Sequence, residues 1–138
     1  MKKQLLILVL LILSIFTYGQ SLPKGALLGF HYSQPVLNPD VTMDQYLNFV
    51  KAKLIPAYEK NFPGLKVYLL KGKRGELADK IGFLMVFPSE AARDKYWKPD
   101  GSLTDLGESV LKKIQPILDE ESKLVKSGAD LYTDWIIQ

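Results

Sequence analysis

The chain has no cysteine and a single histidine among its 138 residues. Without thiols there is no disulfide framework, no thiolate metal site and no cysteine nucleophile, so burial of apolar surface has to supply the stability. One imidazole cannot build a nitrogen-rich metal shell, and the Asp and Glu residues show no recognisable ligand spacing, so no metal site and no cofactor are expected. A glycine-rich phosphate loop, a nucleophile elbow and a zinc-binding helix motif are all missing. Neither sign of charge dominates. The net charge of +3 counts Lys2 and Lys3, and without those two it is +1. The remaining lysines are interspersed with Asp and Glu, which leaves no concentrated positive face for nucleic acid.

What is present begins with a leader. Lys2 and Lys3 precede Leu5 to Phe16, an apolar run broken only by Ser14, and Thr17-Tyr18-Gly19 follows. This pattern predicts a secretory signal over residues 1–20, cleaved after Gly19 or Gln20. The run falls short of the roughly 20 residues of a membrane span. The expectation is export to the periplasm or beyond, with no membrane attachment after cleavage. No cysteine stands nearby to carry a lipid, which argues against a lipoprotein. Residues 21–138 are of a size for one domain.

The rest reads as alternating elements. "ALLGFHYSQ" alternates as a strand, with Leu28, Phe30 and Tyr32 on one face and Gly29, His31 and Ser33 on the other. "PVLNPD" reads as a loop. "TMDQYLNFVKAKLIPAYEKNF" carries an apolar face at helical spacing, a Thr42/Gln45 capping box at its start and Pro56 inside, which should kink or divide it. "KVYLLKG" and "KIGFLMVFP" are strands joined through a turn at Gly75, and the second is apolar enough to be central. "SEAARDKYW" opens a second helix capped by Ser89. "LTDLGESVLKKIQPILDEESKLVK" resumes it, with Gly128 as its stop, and "DLYTDWIIQ" is a last strand. "KLIPAYEK" and "KIQPILDE" faintly echo each other.

The order β-α-β-β-α-β is ferredoxin-like, an α+β domain with a four-stranded antiparallel sheet and two kinked helices on one face. Helices on one side leave the other sheet face uncovered and apolar, and such a face usually meets a partner. With this order, and with the segment "FLMVFPSEAARDKYW", the chain resembles the dimeric α/β-barrel superfamily, which includes antibiotic-biosynthesis-monooxygenase-like and NIPSNAP-like families. The resemblance implies a homodimer packed sheet to sheet. It also implies a cavity for a small apolar or aromatic ligand, or else a cofactor-independent monooxygenase- or cyclase-like enzyme. Haem-degrading relatives use a histidine on the second helix, and this chain has none there.

Candidate residues follow from the strand faces. If Leu28 and Phe30 face the helices, His31 points into the space between the two sheets. On the last strand Leu131, Thr133, Trp135 and Ile137 form the more apolar set and should meet the helices, leaving Tyr132, Asp134 and Ile136 on the open face. Asp134 would then orient His31 as a general base, with Tyr132 and Tyr68 nearby. A strand residue satisfied by a neighbour or by water is the plainer account of His31. Tyr96 and Trp97, where the second helix breaks, are expected to line a pocket mouth or cover a core edge. Lys73 and Arg74 would hold an anion or simply form a solvated turn.

Overall fold

The structure, a computed structural model, describes residues 22–138, so the expected leader lies outside the described residues. Strand β1 runs Leu27–Leu37, followed by helix α1 at Met43–Phe49. Thr42 and Gln45 form the expected reciprocal capping box. Pro56 offers no N–H to continue the ladder, and the chain answers with a π-helical turn over Val50–Leu54 before helix α2 at Ile55–Asn61. Strands β2 (Lys66–Lys71) and β3 (Ile81–Phe87) form an antiparallel hairpin, with Gly75 at φ +82° in its connection. A short helix α3 (Glu90–Arg93) is capped by Ser89. The long helix α4 (Asp105–Glu121) is capped by Thr104 and continues through Pro116. Strand β4 (Val125–Ile136) closes the order.

The strand order is β2-β3-β1-β4 and every pairing is antiparallel. Together with the element order, this is the ferredoxin-like arrangement. Two boundaries differ from expectation. Pro35 does not end the first strand. It sits at a register shift between Gln34 and Val36, past the last β1–β3 pair at Ser33, where a missing N–H costs no ladder bond. Gly128 does not stop a helix. The helix ends at Glu121, and Gly128 lies within β4.

Both helical layers cover the same sheet face. Ile114 and Val110 of α4 pack with Phe62, Leu65, Val67, Phe87 and Leu27 in one buried cluster. Val50 and Leu54 of the π-helical turn pack with Tyr46, Leu69 and Phe83 in a second. Register then decides every facing. Leu27 pairs with Phe87, Gly29 with Met85, and His31 with Phe83. These residues therefore share the helix-covered face, because alternate residues point the same way.

The expected facing is overturned. Leu28, Phe30 and Tyr32 lie on the uncovered face, and His31 lies on the helix side. On β4, Tyr132 and Asp134 pair with His31 and Gly29 and turn toward the helices, while Leu131 and Trp135 turn away. The expectation assumed that the more apolar set seeks the helices, and this sheet is apolar on both faces.

Candidate functional site

A cavity of about 230 Å³ lies between the sheet and the α3–α4 connection. The β1–β4 pairing builds its floor, because Gly29 opposite Asp134 and His31 opposite Tyr132 put three polar side chains around a residue that has none. A Cβ at Gly29 would stand 3.1 Å from Asp134 Oδ1 and 3.7 Å from both His31 Nε2 and Met85 Cβ. The glycine is what leaves this floor open. Leu27, Met85, Phe87 and Trp97 supply apolar walls. Trp97 is fixed by a bridge to Leu103, and a tight turn at Asp100–Ser102, where Asp100 accepts from the Ser102 N–H at 2.9 Å, brings Gly101 to the rim.

Arg93 organises the polar side. It is buried at 9% exposure, a position a charged residue holds only when it is paired. One guanidinium nitrogen donates to the carbonyl oxygens of Trp97 and Lys98 at 3.1 and 2.9 Å. The other donates to the Tyr132 hydroxyl at 3.1 Å, and Nε stands 3.8 Å from Asp134. Tyr132 in turn donates to Asp134, and its ring lies 4.9 Å from that of His31. Burial pushes the Tyr132 hydroxyl above the usual tyrosine range and the Asp134 hydrogen bond adds to this, while Arg93 opposes. Tyr132 therefore stays a neutral donor, aligned by an acceptor on one side and a cation on the other. The set His31, Tyr132, Asp134 and Arg93 can hold a hydroxyl, carbonyl or carboxyl group on a small ligand, or pass a proton across it.

The expected site residues separate into those the fold gathers and those it disperses. His31, Asp134, Tyr132 and Trp97 line this one cavity. That cavity is between sheet and helices, so the inter-sheet placement of the His31–Asp134 pair is corrected. Tyr68 is half exposed on the opposite sheet face, away from His31. Tyr96 does not line the cavity. It is buried at 5% exposure, in edge contact with Phe62 and near Phe87. Lys73 and Arg74 are exposed in the β2–β3 connection. Among the described residues no group of three or more His, Asp or Glu side chains is placed to hold a metal. Sequence reading missed Arg93, which sits in a Lys/Glu-rich stretch that reads as a solvated face. It also passed over Gly29, the alternation's small member, which is the signal that a backbone is approached closely.

Neither a scan against protein-family models nor a search of curated proteins found a match. Among solved structures, the chain is similar to a dimeric protein of unknown function and ferredoxin-like fold from Bacteroides fragilis. That match is at 14% identity and TM-score 0.45, covering 83% of this chain and 98% of that one. It is also similar to a candidate antibiotic biosynthesis monooxygenase from Bacteroides thetaiotaomicron, at 15% identity and TM-score 0.38, covering 79% and 88%.

Proposed function

We propose that this chain is an exported homodimeric ligand-binding protein whose sheet–helix cavity takes a small, largely apolar or aromatic molecule carrying one polar group. The observation that carries this reading is the cavity's division into apolar walls and a single preset polar floor of His31, Tyr132, Asp134 and Arg93. Its volume lies below the roughly 300–1,000 Å³ of drug-sized sites, so the occupant is small. Dimerisation is supported by the uncovered sheet face, where Leu131, Trp135 and Tyr68 are 69%, 61% and 51% exposed. Export rests on the leader pattern alone.

Native mass spectrometry of the protein purified from its own host tests all three parts. The expected result is a dimer that lacks the leader and retains a small molecule, with the molecule lost in Gly29→Val, whose side chain fills the floor. A leaderless monomer that never carries a ligand would overturn the binding reading. A second reading, acid–base catalysis on the same occupant, is favoured by the convergence of His31 Nε2 and Asp134 Oδ1 over Gly29. His31→Ala separates the two. Retained affinity and unchanged ligand mass in the variant support binding, whereas accumulation of an altered ligand supports catalysis.

A further inference from the structure

The space between sheet and helices continues past His31 and Met85 into a second cavity of about 250 Å³, and those two residues line both. The proposed function does not use it. Its one carboxylate is Glu121, the last residue of α4, which accepts a hydrogen bond from the Tyr46 hydroxyl at 3.3 Å. Among the described residues no Lys or Arg nitrogen stands within 4.0 Å of Glu121. A half-buried carboxylate without a counter-charge is unfavourable.

Its position makes this worse. The carbonyl end of a helix carries partial negative charge, and the last turn of α4 holds no basic side chain. Glu120 beside it is committed to Lys53. Burial raises the Glu121 carboxyl above its usual range, against the lowering effect of the Tyr46 bond. The hydroxyls of Tyr46 and Tyr58 are likewise raised by burial and by the charge of Glu121, so both rings stay neutral. The walls include the aromatic side chains of Tyr58 and Phe83, a residue type whose ring faces attract cations.

We propose that this second cavity binds a small organic cation, an amine or ammonium on an apolar or aromatic body, with Glu121 as its counter-charge. The groups facing it are His31 from β1, Tyr46 from α1, Tyr58 from α2 and Glu121 from α4. Lys126 of β4 lines an adjoining groove that shares Tyr46 and Glu121 with this cavity, and it makes no ion pair with Glu121. Neutral or anionic molecules of the same shape leave the carboxylate unpaired and are disfavoured.

Calorimetric titration of the wild-type protein with benzylamine, benzyl alcohol and benzoate tests this. The expected result is preferential binding of benzylamine and at least a tenfold loss in Glu121→Gln. Glu121→Asp, which keeps the charge, is expected to retain the preference, and it stands in if the Gln variant fails to fold by circular dichroism. The first-cavity reading is tested on its own occupant and by Gly29→Val, so its failure does not touch this one. Equal affinity for benzyl alcohol, an unchanged affinity in folded Glu121→Gln, or no benzylamine binding at millimolar concentration would overturn it.

Discussion

Arg93 shows how one side chain can join a core to a site. Its guanidinium satisfies two carbonyl oxygens of the Trp97–Lys98 turn and also aligns Tyr132 and Asp134. Removing it leaves part-buried acceptors without their donor, at up to about 1–3 kcal/mol each, and leaves Asp134 without its cation. Arg93→Met is therefore expected to lose about 3 kcal/mol of unfolding free energy in urea titrations. Arg93→Lys should recover only a small part, because a point charge cannot serve a fork of acceptors on two sides. Full stability in the Lys variant would refute that account. Glu121 makes the opposite prediction. Its folded carboxyl titrates above the unfolded value, so the fold favours the protonated form, and that stabilisation disappears as pH rises through the folded value. Glu121→Gln should melt above wild type at pH 7. The difference should shrink as pH falls into and below the ordinary Glu range, which calorimetry at pH 7 and pH 4 can read. Neither role was legible in the sequence. Both residues sit in Lys/Glu-rich helical text, and only the packing shows which charges turn inward.

At the scale of elements, local chemistry was far more legible. The Thr42–Gln45 box, the Ser89 cap and the interruption at Pro56 each depend on residues within a turn of one another, and all three appear where expected. The misplaced boundaries at Pro35 and Gly128 involve residues whose usual breaking effect is offset by a distant strand, which local text does not contain. Gly107 shows the same limit. It lies in the first turn of α4, where Ala would ordinarily help by up to ~1 kcal/mol. Here an added Cβ would stand 2.2 Å from the Tyr96 carbonyl oxygen and 2.9 Å from Leu103 Cδ2. The helix start would have to shift away from the turn that holds Trp97. Gly107→Ala is expected to destabilise by about 1–3 kcal/mol, as overpacking does. A thermal melt at or above wild type would show that the approach is not tight.

At the scale of the whole molecule, element order was legible and sheet facing was not. A helical layer needs an apolar stripe beneath it, and a one-sided sheet shows that stripe as simple alternation. In this chain both alternating sets on β1 are apolar at several positions, and on β4 the more apolar set turns away from the helices. An apolar face opposite the helices is the surface that a sheet-to-sheet dimer would bury, so the feature that misled the facing is also what supports the proposed dimer. The edge strand carries the largest exposed members, Leu131 and Trp135, on that face. A lysine at either place would bury a charge in a sheet-to-sheet contact while remaining harmless to an isolated subunit. Leu131→Lys and Trp135→Lys should therefore each halve the mass seen by light scattering at micromolar concentration. Their circular dichroism and the Arg93–Tyr132–Asp134 cluster on the other face should stay intact. If wild type is already monomeric, or if the variants lose the fold rather than the partner, the uncovered face does not serve as the dimer interface. Intact folding of the Lys variants matters for the cavities too, since both are built from one subunit's own sheet and helices. On the proposed reading, a lysine variant that is monomeric and folded should still capture the ligand, which separates what a dimer would contribute from what the subunit does alone.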